Sequence, residues 1–258
     1  MKRLVRWLVL LALSAIALQG VFVLRIAMMR FVDPESTTFQ RSEIWRLATE
    51  RHEVLWSQRW QPYERIAATL KRAVIASEDA SFTDHGGVDW EAIEKAWERN
   101  QRAEARAEKL QAQLESQQQR RAANARSAPP RPAPVAKIVG GSTISQQLAK
   151  NLFLSGERSL ARKGQEFVIT FMLEALLDKE RILAIYLNNV EWGEGVFGAQ
   201  AASRHYFRVD AGQLSAMQAA RLAVMLPAPK RFEKRPGSAY VSGRAATIVS
   251  RMSAVELP

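Results

Sequence analysis

A mainly α protein preceded by one N-terminal transmembrane helix is what this sequence predicts, on three observations. Apolar residues recur at three- and four-residue spacing through most of the chain, alternating strand patterns are scarce, and a long apolar run follows a cluster of basic residues at the N-terminus. With 258 residues and 47% hydrophobic composition, the chain can bury one good core. It has no cysteine, which removes disulfides, thiolate zinc sites and a cysteine nucleophile together.

Lys2, Arg3 and Arg6 precede an apolar run from Trp7 to Leu24, interrupted only by Ser14, Gln19 and Gly20. That approaches the roughly 20 residues a helix needs to cross a bilayer. The leading positive charges place residues 1–6 in the cytoplasm, 7–29 in the membrane and the body, 30–258, in the periplasm. Ala15-Ile16-Ala17 resembles a signal-peptide cleavage site, but the apolar run continues past it. A buried core helix is the other alternative, and no polar face is visible. The expected location is therefore the cell inner membrane, with a single pass.

Beyond the anchor, Trp45, Trp56 and Trp60 suit either the headgroup level or the core. Pro62 sits before a helical spacing from Tyr63 through Ile66, Leu70 and Val74 to Ser77, and Glu78 and Asp79 fall at its end. Helical signals resume at Ser142, where Ile144, Leu148 and Leu152 share one face and Gln147, Lys150 and Asn151 another. Phe167–Leu177 is apolar on nearly all sides and reads as a buried central helix. The helical stretch 179–190, a Gly-rich turn at 191–200 and a proline-ended helix at 215–229 complete the body.

Residues 101–137 are different material. Gln, Ala, Arg and Glu give way to Pro129, Pro130, Pro132 and Pro134, with Leu110 and Leu114 the only large apolar side chains before them. Such a composition packs no core, and reads as a frayed helix followed by an extended, mobile linker. The net charge of +11 favours anionic partners. Eight basic residues against three Glu lie in this one segment, so nearly half of the excess is not an organised patch with aromatic platforms, and nucleic acid is not the expected partner.

Three polar clusters carry the chemistry: Ser77–Gly87, Gly140–Asn151 and Arg158–Glu166. Arg162 and Lys163 precede Glu166 by four and three residues, which puts all three on one helix face, with Arg158 at the entry. Arginine forks and a helix N-terminus suit a diphosphate. Taken alone, this cluster is equally an ion pair on a solvated face. Glu78-Asp79 alone is equally a cap, and His85 a hydrogen-bonded structural residue. No HExxH pair supports zinc and no GxSxG elbow supports a serine hydrolase.

In their order and spacing, "EDASFTDHGGVDW", "GGSTISQQLAKNLFL", "RSLARKGQE" and "KERILAIYLN" resemble the successive motifs of glycosyltransferase family 51, the peptidoglycan polymerases. "VEWGEGVFGAQAASRHYF" and "RLAVMLPAPKRF" continue the likeness, which covers roughly Arg59 to Arg251. No S-x-x-K occurs, so the likeness is to the family's monofunctional form. It implies a lysozyme-like glycosyltransferase domain with a membrane-facing apolar subdomain. It also implies an activity that joins lipid II units into a β-1,4-linked glycan strand, with inversion and release of undecaprenyl diphosphate.

By motif position the catalytic pair is Glu78, the base, and Glu166. Asp79, Phe82, His85, Ser142, Thr143, Gln146, Gln147, Lys150, Asn151, Arg158, Arg162 and Lys163 are the implied substrate-binding residues. No cofactor is obligatory. A divalent cation (Mg or Mn) beside the diphosphate, held by Glu166, is the one metal the reading admits. The expected partners are lipid II, the growing strand, the membrane and other cell-wall synthesis proteins. The stretch between the first two motifs is longer than the family usually shows, so residues 101–137 are expected to be an insertion that touches a partner or anionic headgroups. A membrane-anchored lysozyme-like glycan hydrolase is the first rival reading, and a non-enzymatic basic cell-wall-binding protein the second.

Overall fold

The computed structural model describes residues 2–123, 140–154 and 159–258. They form two compact units, one of Met1–Val88 with Thr143–Pro258 and one of Asp89–Ser142.

The first unit opens with α1 (Lys2–Met28), whose 27 residues make a helix about 40 Å long. It is long and apolar enough to cross a membrane, and its basic N-terminal residues are part of the helix. A capping box between Thr37 and Gln40 starts α2 (Thr38–Arg46), and a wide turn at Leu47–Arg51 follows it. The helix expected from Tyr63 begins later. Tyr63–Arg65 is a single 3₁₀ turn, Ile66 is extended, and α3 runs Ala68–Glu78. The break has a partner: the amide of Ala67 donates to the carbonyl of Ala211, which draws the chain out of the helix.

After the second unit come α5 (Ile144–Phe153), α6 (Leu160–Leu176) and α7 (Lys179–Asn189). Phe167–Leu177 is not the buried central helix. Ile169, Thr170 and Leu173 face inward, while Val168 and Phe171 are exposed on the opposite side. The central element is α7, in which every residue from Ile182 to Asn189 is buried. Its two asparagines are satisfied there: Asn188 exchanges hydrogen bonds with the backbone of Gln61, and Asn189 donates to the carbonyl of Ile185.

The Gly-rich turn proves to be a small sheet. β1 (Ser57–Gln58) pairs in parallel with β3 (Val196–Phe197), which pairs antiparallel with β2 (Glu191–Gly193). Gly195 turns the hairpin at φ 72°, and a Cβ there would lie 1.9 Å from the carbonyl oxygen of Leu55. The helices α8 (Ala199–Phe207), α9 (Ala216–Met225), α10 (Pro229–Phe232) and α11 (Ala239–Met252) complete the unit, and α3, α9 and α11 pack against one another. Trp192 is fully buried, with its indole N–H donating to the carbonyl of Leu222 at 3.1 Å. Truncating such an aromatic to Ala costs about 3–5 kcal/mol.

The second unit is built on α4 (Trp90–Ala123), a single helix of 34 residues. Asp89 caps it by accepting from the amide of Ala92, and the chain at Gly141 returns so close that a Cβ would meet the backbone of Ile93 at 3.2 Å. Exposed pairs at i,i+4 spacing, such as Glu98 with Arg102, explain why a segment with so few apolar residues is helical. The helix expected to fray near residue 100 therefore continues to residue 123, and the remainder of the expected insertion lies outside the described residues.

Candidate active site

Glu78 is the last residue of α3, and the chain turns at Asp79. The Asp79 carboxylate holds two elements together. One oxygen accepts from His85 Nε2 at 2.9 Å, and the other from the backbone N–H of Ile144, in the first turn of α5, at 2.9 Å. His85 Nδ1 accepts from the Gly87 amide at 3.1 Å, so the ring proton sits on Nε2 and points at Asp79. Gly87 has φ 93°, and a Cβ there would lie 2.7 Å from Thr170. The Thr143 hydroxyl donates to the Gly87 carbonyl at 2.6 Å and accepts from the Gln146 amide, while Gln146 closes a capping box.

These contacts give several of the expected substrate-binding residues a structural part. Asp79, Thr143 and Gln146 are buried and committed to the fold, and Phe82 has no exposed surface. They position the site, as does His85, whose two ring nitrogens are taken. Ser142 is exposed and belongs to the second unit. Arg158 lies outside the described residues.

The residues that do face one another form a chain. Gln147, one turn into α5, donates its amide N–H to Glu78 Oε2 at 3.0 Å. Tyr186, from the buried α7, donates its hydroxyl to Gln147 Oε1 at 2.9 Å. This fixes which way the amide points. Burial pushes the Glu78 carboxyl above the usual carboxylate range, and the charge of Asp79 adds to the effect against the hydrogen bonds from Gln147 and Ser77.

Lys150 follows Gln147 by three residues, so both share a face of α5. The protein around it lowers its ammonium pKa, and repulsion from Arg162 and Lys163 adds to this while Glu166 opposes it. Lys150 thus lies within electrostatic reach of the third cluster. There Glu166, 3% exposed, pairs with Arg162 at 3.0 Å and with Lys163, all three on α6. Ser159 caps that helix by accepting from the Arg162 amide. Asn151 is half-buried beside Lys150 in sequence.

Four residues at this site were not singled out from sequence: Tyr186, Glu174, Ser145 and Lys179. Ser145 donates to Glu174, and Lys179 donates to Glu174 and to the His85 carbonyl, which ties the loop after Glu78 to α6 and α7. Tyr186 had a signal, since a lone phenol inside the aliphatic run of α7 needs a partner for its hydroxyl. Among the described residues no group of three or more His, Asp or Glu gathers as a metal site, and both Glu166 oxygens are engaged by cations. The donor set does not fit a resident divalent ion.

A helical body that buries one carboxylate among neutral hydrogen-bond donors, and sets a second among cations on a neighbouring helix, is equipped for group transfer from a phosphorylated donor. The chain matches the sequence profile of the transglycosylase family over residues 47–118 and 133–253, and it belongs to that family. It is 46% identical over 259 residues to a biosynthetic peptidoglycan transglycosylase of Paraburkholderia xenovorans, covering 98% of this chain and 95% of the relative. It is 50% identical over 243 residues to the protein of the same description from Burkholderia pseudomallei, covering 94% of this chain and 83% of that one. The family match leaves only residues 119–132 between its two segments, a shorter interval than the insertion expected at 101–137.

Proposed function

We propose that the protein is a membrane-anchored peptidoglycan glycosyltransferase that polymerises lipid II into β-1,4-linked glycan. The observation that carries this reading is the line of side chains along α5, with Glu78 hydrogen-bonded to Gln147 at one end and Lys150, three residues on, within electrostatic reach of the Arg162–Lys163–Glu166 cluster at the other. The acceptor's 4-hydroxyl attacks the anomeric carbon of the donor sugar. Glu78 takes the hydroxyl proton, and the bond to the lipid diphosphate breaks with its electron pair leaving on undecaprenyl diphosphate. The configuration inverts. A sugar hydroxyl is a poor nucleophile without a base, and a carboxylate above its usual range accepts the proton better at neutral pH. The diphosphate needs cations more than a proton, and Lys150, Arg162 and Lys163 supply them, with Glu166 fixing the last two.

No step is routed through a metal. The basic residues in the first turns of the anchor support a catalytic body on the periplasmic face of the inner membrane. Leu160, Val168 and Phe171 on α6 are exposed apolar side chains that suit contact with lipid, which is where the substrate resides. Residues 119–132, which lie between the two segments of the family match, are assigned to contact with anionic headgroups or with other cell-wall synthesis proteins. Their deletion is expected to leave basal polymerisation intact and weaken sedimentation with anionic vesicles, and loss of polymerisation by a folded deletion variant would remove that assignment.

The deciding experiment incubates the detergent-solubilised chain with labelled lipid II beside its Glu78→Gln variant and resolves the products on a gel. A ladder of long glycan from the parent alone is expected. Cleavage of preformed glycan without polymerisation would make the protein a hydrolase instead.

A further inference from the structure

The anchor makes one polar contact that the transfer reaction does not explain. Gln19 interrupts the apolar run of α1 in the helix's C-terminal half, where α1 begins to pack on the body and an amide left bare to lipid is unfavourable. It is not bare. Its Nε2 donates to Gln165 Oε1 at 3.0 Å, and Gln165 Nε2 donates back to Gln19 Oε1 at 2.9 Å. Gln165 directly precedes Glu166 on α6. The same face of α1 continues the contact at helical spacing. Phe22 meets Phe153 edge-on at 5.3 Å, Ile26 is fully buried, and Arg181 donates to the carbonyl of Met29 at 2.7 Å. The membrane helix is therefore docked along one stripe onto α5, α6 and α7, the helices that carry Gln147, Lys150, the cation cluster and Tyr186.

We infer that the reciprocal Gln19–Gln165 amide pair is a latch that fixes the height of the α6 cation cluster relative to the bilayer, so that it meets the diphosphate of a lipid-borne donor. This rests on the proposed function. A diphosphate attached to a lipid can be presented only near headgroup level. A side-chain cluster that drifted by one helical turn, 5.4 Å, would miss it. Dispersion alone leaves two apolar helices free to slide, because lipid competes for the same contacts, whereas an amide pair has one register at which both bonds form. Gln19 and Gln165 are positioning residues and touch no reacting atom.

The chain has no cysteine, so single labels can be placed without background. In vesicle-reconstituted full-length protein, a label at Leu160→Cys, a site 93% exposed, reports the depth of the α6 start through quenching by lipid-attached quenchers. Gln19→Leu, which keeps the anchor apolar, is expected to shift that depth. It is expected to raise the apparent KM for lipid II about tenfold with kcat within about twofold, a change of about 1.4 kcal/mol in binding. In a separate Gln19→Cys, Gln165→Cys variant, a short thiol cross-linker should restore the parental KM that the uncrosslinked pair lacks. Unchanged depth and KM in Gln19→Leu would overturn the latch, as would a fall in kcat that cross-linking does not repair. If the parent itself makes no glycan, the functional reading fails, and the depth measurement still decides the latch.

Discussion

Glu78 and Glu166 are two carboxylates withdrawn from solvent on neighbouring parts of one fold, and their company differs. Glu78 is met by neutral donors, the Gln147 amide and the Ser77 hydroxyl, with the like charge of Asp79 beside it. Glu166 is met by Arg162 and Lys163. Burial without a countercharge makes a carboxylate a better proton acceptor. Burial with two cations makes it a brace that holds positive charge in place. The same residue type thus supplies the base at one end of α5 and the scaffold for the leaving group's counter-ions at the other.

The largest test of this contrast is Glu78→Gln. Removing the base is expected to lower polymerisation by about 10²–10⁴-fold, read from lipid II consumption. Stability should move the other way. Because folding raises the Glu78 pKa, the ionised form is disfavoured in the native state. That penalty is absent below the ordinary carboxylate range, sets in as pH rises through it, and is complete above the folded pKa. Glutamine escapes it, so the variant's midpoint in thermal unfolding at neutral pH should equal or exceed the parent's. A clear drop would mean that Glu78 is held by a cation, and the contrast with Glu166 would collapse.

Glu166→Gln comes next, with both signs negative. Two cations are left beside Lys150 with their counter-ion gone. Breaking a fully buried ion pair costs about 3–5 kcal/mol. Arg162 and Lys163 reach solvent in part, so the expected loss is about 1–3 kcal/mol by denaturant titration. The transfer rate should fall about 10²-fold as the cation geometry loosens. Adding salt should recover some of the stability of this variant and none of the rate of Glu78→Gln.

How much of this was readable before the structure follows from where the signals lie. The anchor, the helices and the two acids are local: an apolar run, a 3.6-residue period and a charge spacing on one face each need only a short window of sequence. The length of α4 was hidden because its support is side-chain pairing such as Glu98 with Arg102, not apolar periodicity. The three-stranded sheet was hidden because its strands are two or three residues long and β1 pairs with β3 across 139 positions, Ser57 opposite Val196. The capping and stitching contacts of Asp79, Thr143 and Gln146 were hidden because polar residues in a motif do not show which of them also hold the fold together. That distinction appears only once Ile144 and Gly87 are brought to them. The Gln19–Gln165 pair joins residues 146 apart, and no window of sequence contains both.

The smallest expected effect sharpens the contrast most, because it alters the surroundings of Glu78 without touching a charge. In Tyr186→Phe the Gln147 carbonyl oxygen loses its donor, and nothing then holds the amide with its N–H toward Glu78. Loss of one buried hydrogen bond costs about 1 kcal/mol of stability. Its catalytic signature is specific in sign. The Gln147 hydrogen bond favours ionised Glu78, so weakening it raises the Glu78 pKa further and carries the acidic limb of the pH profile of kcat/KM to higher pH. Above that limb the rate should stay within about threefold of the parent, since the base itself remains. A uniform loss at every pH, with the limb unmoved, would mean that Tyr186 serves packing alone and that the proton affinity of Glu78 is set by burial and Asp79 without help from α7.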